Sequence, residues 1–340
     1  MLRAIAVCLV VYSHVVGIWL NQRGDLSGVA AAAHEWNPLA LTLNVGNFGV
    51  VLFFLVSGFI VTHTGVAERP GQYVVKRLLR IYPMLAAAVL LSAGLFEVGL
   101  HPLTTGDPAT ITPTILLTNA SLVNYLLRPR VVLVDVAWSL VVEILFYALL
   151  LVALPLLRRT AWPVVLGELA VVAAVLASAP LGLVPLRVVE NVGYLPALLL
   201  GQIAWAVSSK RIPLWTGLPL AALAWGEYAW AGLPGLGRQA TVYRYDLDLA
   251  LGLVVFLAAL AAERTLRPTA WFGYLADRSY SLYLLHGLLA VVVLNALYPV
   301  VGYPVALAAG LAVTMLGVEV VHRYVERPSM RLARRLTDRW

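Results

Sequence analysis

Charged residues are scarce in this sequence, and no polar stretch is long enough to form a separate soluble domain. Of the 340 residues, 12% are Asp, Glu, Lys or Arg and 61% are hydrophobic, and the mean hydropathy is +0.87. A soluble domain carries roughly 25% charged residues. Too little polar surface remains to coat a water-facing protein of this size, so the composition excludes a soluble globule and predicts lipid as the main solvent.

Cysteine is almost absent, because Cys8 is the one cysteine in the chain. A single thiol excludes an internal disulfide framework and a cysteine-rich metal site. Since Cys8 lies in an apolar run, we interpret it as a small hydrophobic residue. We predict no metal cofactor.

Long apolar runs recur from one end of the chain to the other, and a run of about 18 residues can cross a hydrocarbon core of ~30 Å. We predict an all-α integral membrane protein, a single bundle of about ten transmembrane helices. The predicted spans lie near 2–21, 43–63, 82–99, 135–156, 162–179, 190–207, 213–231, 246–262, 272–297 and 300–322. Residues 110–127 are shorter and more polar, and are predicted to be interfacial or re-entrant. One transmembrane domain, 1–325, is followed by a basic cytoplasmic tail, 326–340.

Basic residues orient the bundle, because cytoplasmic loops carry an excess of Lys and Arg. With both termini in the cytoplasm, 18 of the 24 Lys and Arg residues fall inside. The net charge of +7 is therefore attributed to topology in the cell (cytoplasmic) membrane, and no nucleic-acid partner is predicted. Residues 323–339 are predicted to lie on anionic lipid headgroups. The long outside segments 22–42, 100–134 and 232–245 are candidates for recognising a large or lipid-linked ligand.

Ionisable residues within spans cost at least ~2.5 kcal/mol each at the bilayer centre, so each needs a reason. His14 follows Arg3 by eleven residues. Eleven residues return a helix to within about 20° of the starting face and raise it by about 16 Å. One stripe thus carries Arg3 at the cytoplasmic interface and His14 near the midplane, which suits a ligand with an anionic head and a long arm. The alternative is a structural histidine bonded to a neighbouring helix.

Glu143 is predicted to lie about 10 Å deep, near the level of His14. Ser139 and Tyr147 share its helix face at a spacing of four residues. A buried carboxylate beside a histidine can orient the imidazole and stabilise the imidazolium. The alternative is a structural hydrogen bond to another span.

Two arginines, Arg77 and Arg80, fall in a segment predicted to be a cytoplasmic loop, and on a helix their guanidinium groups would point the same way. Such a pair suits phosphate groups. The alternative is an ordinary positive anchor at the membrane face. Farther along, His286 is predicted near mid-depth, and Tyr283 lies three residues earlier, so that their polar ends could meet. Glu326, beside Arg327-Pro328, is predicted to be a surface or capping residue.

Six segments in order resemble the acyltransferase 3 family of membrane O-acyltransferases, over nearly the whole chain. They are LRAIAVCLVVYSH (2–14), GVVLFFLVSGFIV (49–61), PGQYVVKRLLRIYP (70–83), AWSLVVEILFY (137–147), SYSLYLLHGLL (279–289) and ERP (326–328). Within them the family's motifs Arg-x10-His, Arg-x-x-Arg and WSLxxE fall on Arg3 and His14, on Arg77 and Arg80, and on Trp138, Ser139 and Glu143.

The resemblance implies an enzyme that takes an acyl group, usually acetyl, from acyl-CoA on the cytoplasmic side. It transfers the group to a hydroxyl, mostly on a sugar of a surface glycan, lipid-linked glycan or glycosylated metabolite. Arg3, Arg77 and Arg80 would hold the phosphates of CoA, and His14 would act as general base or carry the acyl group, oriented by Glu143. Supporting positions are Tyr82, Trp138, Ser139, Tyr283 and His286. Whether the protein forms a homo-oligomer is left open.

Two positions depart from the family's pattern, and a second functional class also explains the intramembrane His and Glu. Val51 stands where the family often has aspartate, and Ile144 where a second glutamate often follows. Tolerance of these changes would mean that those acids are not part of the core chemistry. The rival is a transporter or flippase that uses intramembrane His and Glu for proton coupling. It predicts broken helices and internal symmetry, which the sequence does not show.

Overall fold

The structure is a computed structural model that describes residues 1–19, 44–106, 110–126, 131–233, 245–263, 265, 267 and 269–338. Over these residues the chain is all-helical, and its one extended pairing is an isolated antiparallel bridge between Thr105 and Val132. The predicted recognition segment 22–42 lies outside the described residues, as do residues 234–244 of the segment 232–245.

The helices are numbered in chain order. They are α1 (Leu2–Tyr12), α2 (Val45–Gly65), α3 (Pro70–Glu97), α4 (Pro113–Ala120), α5 (Trp138–Leu157), α6 (Trp162–Ser178), α7 (Leu186–Val192), α8 (Leu195–Ser208), α9 (Leu214–Ala231), α10 (Tyr245–Ala261), α11 (Ala270–Val301), α12 (Tyr303–Val321) and α13 (Arg327–Thr337). A π-helix, Ser13–Ile18, continues α1, and a second, His322–Glu326, joins α12 to α13. Short 3₁₀ turns lie at Val123–Leu126, Asp135–Ala137 and Ala179–Leu181.

The described helices confirm a multi-pass, all-α membrane protein. Six helical stretches are long and apolar enough to cross a bilayer: Val45–Gly65, Pro70–Glu97, Asp135–Leu157, Trp162–Leu181, Ala270–Val301 and Tyr303–Thr337. Helices α8, α9 and α10, which match three further predicted spans, have 14, 18 and 17 residues. The count of ten spans and the sides of the two termini stay predictions.

Helix α3 begins twelve residues before its predicted start at 82, so the assignment of 70–81 to a loop is wrong. Proline is well suited to the first helical position because its missing N–H has no partner there, and Pro70 opens α3. The charged residues that follow broke the apolar run on which the predicted start depended. They do not break the helix, which also contains Pro83.

The segment 110–127 contains only one short helix, α4, of eight residues. Thr112 caps it by accepting a hydrogen bond from the backbone N–H of Ile115 at 3.3 Å. Eight residues rise about 12 Å, far less than a hydrocarbon core of ~30 Å. The segment therefore does not cross as a single helix, in agreement with an interfacial or re-entrant placement.

The described chain forms two compact units, and the first comprises Met1–Ala6, Thr42–Val74 and Ser139–Thr269. Glycines allow α2 and α8 to pack backbone against backbone in this unit. A Cβ at Gly58 would overlap the carbonyl of Leu198, and a Cβ at Gly201 would overlap the carbonyl of Leu55. The sequence pattern Ser57-Gly58 predicts close helix approach, and this contact confirms it.

The second unit comprises Val7–Leu41, Val75–Trp138 and Ala270–Trp340, and α11 is its longest helix, with 32 residues. Tyrosine hydroxyls fasten α11 to neighbouring segments. Tyr280 donates to the carbonyl of Ile81 on α3 at 3.1 Å, and Tyr283 donates to the carbonyl of Val136 at 3.1 Å. Since both acceptors are backbone atoms inside the protein, these bonds fix the depth and rotation of α11.

Candidate active site

Two histidines meet inside the second unit, although 272 positions separate them in sequence. His14 is the second residue of the π-helix Ser13–Ile18, and His286 lies near the middle of α11. The Nδ1 atom of His14 is 2.5 Å from the Nε2 atom of His286, and His286 has no exposed surface. Each histidine thus has a polar partner inside the protein. This agrees both with a catalytic role of His14 and with a structural histidine bonded to a neighbouring helix.

Aromatic side chains hold the π-helix that carries His14. Trp19 donates from its indole nitrogen to Asn295 on α11 at 3.0 Å and stacks on Tyr303 of α12, with ring centroids 5.6 Å apart. The Tyr303 hydroxyl donates to the carbonyl of Val15 at 3.0 Å. π-Helical turns are rare and occur often at functional sites. The sequence predicted a helix here but not its change from α to π geometry.

His286 is held by two segments that we name the cap, residues 101–106 and 131–137. The backbone N–H of Leu103 donates to the carbonyl of Gly287 at 3.1 Å, and a Cβ on Gly287 would lie 3.5 Å from Leu103, in ordinary van der Waals contact. The two segments join through the Thr105–Val132 bridge. Residues 101–106 and 131–134 of the cap belong to the predicted outside segment 100–134, so a stretch proposed for recognition contacts the helix turn next to His286.

Tyr283 serves the site differently from the prediction. Its hydroxyl was expected to meet His286, but the structure directs it to the carbonyl of Val136 in the cap. The rings of Tyr283 and His286 remain close, with centroids 6.2 Å apart. Residues three apart on a helix are neighbours, but the tyrosine hydroxyl extends well beyond its ring and so reaches the next element instead.

The predicted arginine pair lies in the same unit as the histidine pair. Arg77 and Arg80 are one turn apart on α3, and both are half-buried, as is Tyr82. The guanidinium of Arg80 lies 5.8 Å from the centre of the Tyr280 ring, within the range of a cation–π contact. Tyr280 precedes His286 by six residues on α11, a rise of about 9 Å. Arg80 thus marks a level along α11 that is displaced by about 9 Å from the histidines.

The predicted residues Arg3, Ser139 and Glu143 belong to the first unit, where Glu143 has a clear partner. Its carboxylate accepts a hydrogen bond from Ser57 on α2 at 3.0 Å, and both side chains are buried. Trp138, half-buried, is the first residue of α5. The predicted action of Glu143 on His14, and that of Arg3 on a phosphate, stay predictions.

Glu326 is a residue that sequence reasoning placed wrongly. It was predicted at the surface, yet it is buried and accepts a hydrogen bond from Ser281 at 2.5 Å, while His322 contacts the same carboxylate oxygen at 2.8 Å. The helical signal was present, because His322 and Glu326 are four residues apart. The adjacent Arg327-Pro328 concealed it by suggesting the end of the domain.

Other acidic residues inside helices also have polar partners on different helices. Glu168 accepts from Gln202 at 2.6 Å, and Asp248 accepts from Asn47 at 2.6 Å. Among the residues that the structure describes, no group of three or more His, Cys, Asp or Glu could hold a metal ion.

Comparison with known proteins identifies the family. The sequence profile of the acyltransferase 3 family, described as "Acyltransferase domain", matches residues 1–322. The chain is 30% identical over 310 residues to the exopolysaccharide production protein ExoZ of Rhizobium meliloti (strain 1021), covering 86% of this chain and 93% of the relative. No solved structure matches the chain. With a profile that extends over nearly the whole sequence and a relative that aligns along nearly its full length, the chain belongs to the acyltransferase 3 family and is a membrane acyltransferase.

Proposed function

We propose that this enzyme transfers an acyl group, acetyl in the first instance, from acyl-CoA to a hydroxyl of a sugar in an exopolysaccharide or its lipid-linked precursor. The observation that carries the proposal is the contact of the half-buried His14 with the buried His286 in a protein of an acyltransferase family. The acceptor class is supported by the relative, whose name assigns it to exopolysaccharide production.

The reaction forms an ester and releases CoA. His14 removes the proton from the sugar hydroxyl, the oxygen attacks the thioester carbonyl, and the carbon–sulfur bond breaks so that CoA leaves and takes up the proton. An acyl-histidine intermediate gives the same products in two steps, with the acyl group first on His14 and then on the hydroxyl. Both routes use the imidazole of His14, whose ring nitrogen can hold either a proton or a covalently bound acyl group.

The donor is proposed to bind through Arg77 and Arg80, with Arg3 as a third cation. Guanidinium groups bind phosphates through paired, charge-assisted hydrogen bonds. Along α11 the level of Arg80 lies about 9 Å from His286, so the acyl end of an extended donor, with its phosphates at the arginines, can reach the histidines. This arrangement supports an acyl-CoA, whose charged head and reactive thioester are separated by a flexible arm.

The acceptor is proposed to approach from the side of the cap, since the cap contacts α11 next to His286 and belongs to the segment predicted to lie outside the cytoplasmic membrane. Donor and acceptor would then reach the histidine pair from opposite sides. The proton-coupled transporter remains the second candidate on sequence grounds. No feature of the described residues favours it.

A thiol-release assay tests the proposed function. Purified enzyme in lipid nanodiscs is given acetyl-CoA and a deacylated exopolysaccharide fragment, and free CoA is followed with a thiol reagent. We expect CoA release that depends on both substrates, and thermal stabilisation of the protein by CoA alone. A protein that neither releases CoA nor is stabilised by it would contradict the proposal, and this is what the transporter hypothesis predicts.

Replacing both Arg77 and Arg80 with alanine should raise the KM for acetyl-CoA about 10-fold or more. Hydrogen bonds to charged groups contribute about 1.5–3 kcal/mol each, and both phosphate contacts would be lost. The matched control is Arg159→Ala, which removes an exposed arginine from the first unit. Equal KM values for wild type, control and double variant would remove these arginines from the donor site.

Replacing Glu143 with glutamine should lower the transfer rate by about 10- to 100-fold while leaving the unfolding temperature close to that of wild type. The glutamine carbonyl can still accept the hydrogen bond from Ser57, but the negative charge that would stabilise an imidazolium is gone. Glu168→Gln is the control, since it makes the same change at another buried acidic residue of the first unit, one that accepts from Gln202. If both variants keep full activity, Glu143 has only the structural role that its bond to Ser57 shows.

A further inference from the structure

The two histidine rings lie edge to edge in nearly one plane. Their planes differ by 8° and their centres are 4.8 Å apart, while the nearest nitrogens are 2.5 Å apart. Rings stacked face to face would keep all their atoms at about 3.5 Å or more, so this nitrogen contact requires an in-plane approach. In that arrangement the lone pair of one nitrogen points at the N–H of the other, as a hydrogen bond requires.

A backbone carbonyl decides which nitrogen carries the proton. The Nδ1 atom of His286 lies 3.1 Å from the carbonyl oxygen of Leu282, one turn earlier on α11. A carbonyl oxygen can only accept, so Nδ1 of His286 must be the donor. In a neutral imidazole the other nitrogen is then an acceptor, and Nε2 of His286 has no proton. Its partner, Nδ1 of His14, therefore carries one.

We propose that His286 is a positioning residue that fixes the tautomer of His14. Both hydrogen bonds then have the same donor-to-acceptor direction. Nδ1–H of His14 donates to Nε2 of His286, and Nδ1–H of His286 donates to the Leu282 carbonyl. The remaining nitrogen of His14, Nε2, is left with a free lone pair. This inference rests on the proposed function, since it identifies the atom of His14 that would take the proton from the sugar hydroxyl or accept the acyl group.

His286 thus takes the place that a carboxylate holds in a Ser-His-Asp triad. A neutral partner suits this position, because His286 is completely buried among apolar helices, where an unpaired carboxylate is costly. When Nε2 of His14 takes the acceptor's proton, its Nδ1–H becomes the donor of a charge-assisted bond to His286. On release of CoA the same proton passes to the leaving sulfur, which restores the starting tautomer.

The surroundings of His286 fit a positioning role. The cap fastens the helix turns on both sides of the ring, through the bond between Leu103 and Gly287 and through that between Tyr283 and Val136. The contact of one edge of the ring with Leu282 and of the other with His14 restricts its rotation. Held in this way, His286 offers its acceptor in one direction only.

Three substitutions of His286 separate positioning from packing. In glutamine the amide oxygen reaches the place of Nε2, in asparagine it ends near the place of Nδ1, and phenylalanine fills the space with no acceptor. We expect His286→Gln to keep kcat within about tenfold of wild type, and His286→Asn and His286→Phe to lose about 10²- to 10⁴-fold with little change in the KM for acetyl-CoA. The same substitutions at the exposed His63 are the matched controls.

A packing role predicts a different order, with phenylalanine, which fills the space, tolerated best, and asparagine, which leaves a cavity at a fully buried position, tolerated worst. Wild-type rates in His286→Phe or His286→Asn would therefore overturn the proposal. If His14→Ala keeps full transfer activity, the proposed function fails instead. The tautomer is then still decided by spectroscopy, which also decides it if all three His286 variants unfold.

Solid-state ¹⁵N spectra of the wild-type enzyme, labelled at histidine and held in lipid bilayers, read the tautomer directly. His14 is assigned by the signals missing from His14→Ala. The proposal expects a protonated Nδ1 and an unprotonated Nε2 on His14 at neutral pH. The reverse pattern, or an equal mixture of both tautomers, would show that His286 does not fix the tautomer of His14.

Discussion

Replacing His14 with alanine should lower the rate of acetyl transfer by about 10²- to 10⁴-fold, which is the range for loss of a general acid–base residue. His286 does not take its place, because its Nε2 atom lies 2.5 Å from Nδ1 of His14, and the proposed catalytic atom, Nε2 of His14, is farther still. Donor binding should be preserved, since the proposed phosphate ligands are arginines about two turns of α11 away. The measurement is the initial rate of CoA release at saturating acetyl-CoA, together with the thermal shift produced by CoA.

The control for this variant is His63→Ala. His63 is exposed near the end of α2 and accepts a hydrogen bond from Trp205 at 3.3 Å, so its loss costs one weak contact. We expect wild-type transfer from this protein. If His14→Ala transfers acetyl at the wild-type rate while remaining folded, His14 is a structural histidine bonded to a neighbouring helix, and the catalytic centre lies elsewhere.

Replacing Gly201 with alanine should be among the most damaging small substitutions for folding. The added Cβ would overlap the carbonyl oxygen of Leu55 and lie 2.8 Å from the backbone nitrogen of Phe59. Backbone atoms of a packed helix cannot rotate away as a side chain can, so α2 and α8 must separate. Overpacking costs about 1–3 kcal/mol or more, and we expect the unfolding temperature in detergent to fall by roughly 1–4 °C or more.

Gly167→Ala is the matched control, because Gly167 is also inside a helix of the first unit but has open space where its Cβ would be. Alanine is the better helix former by about 0.5–1 kcal/mol, so this variant should unfold at the wild-type temperature or slightly above. A Gly201→Ala protein as stable as Gly167→Ala would show that α2 and α8 do not pack backbone against backbone.

The sequence was most informative where the length of an apolar run, or the free-energy cost of placing a polar residue in lipid, decides the structure. An apolar run of membrane-spanning length needs no partner to be recognised, so the all-helical membrane architecture was predicted. A histidine in such a run is expensive wherever it occurs, so His14 and His286 were both singled out at mid-depth. The close approach at Gly58 was predicted for a similar reason, since small residues mark tight helix contacts in membranes.

The sequence was uninformative where a residue forms its hydrogen bond with a residue on another helix. Nothing in the neighbourhood of His14 indicates that its hydrogen bond is with His286, because the pairing depends on how α1 and α11 meet. The carboxylate predicted to orient His14 is that of Glu143, and this action stays a prediction. The partner that the structure shows for Glu143 is Ser57, which the sequence did not indicate. Helical period likewise cannot predict a π-turn, in which the angle between successive side chains differs from that of an α-helix.

Apolar runs also misplace the ends of helices. The start of α3 was predicted at 82 because Lys76, Arg77 and Arg80 interrupt the hydrophobic stretch, yet a helix extends through the membrane interface whenever its backbone hydrogen bonds can continue. At the other end of the chain the same logic placed Glu326 in a surface tail. There the helix continues without interruption through His322–Glu326 into α13, and Glu326 turns inward to Ser281.

If the histidine pair moves an acyl group from CoA to a sugar hydroxyl, analysis of the product shows it most directly. Purified enzyme in nanodiscs is incubated with acetyl-CoA labelled with ¹³C at the carbonyl and with deacylated exopolysaccharide, and the polymer is examined by NMR. The account predicts a labelled ester on a sugar carbon with wild type and with His63→Ala, and none with His14→Ala. An unlabelled polymer in all three reactions, or equal labelling by wild type and His14→Ala, would contradict it.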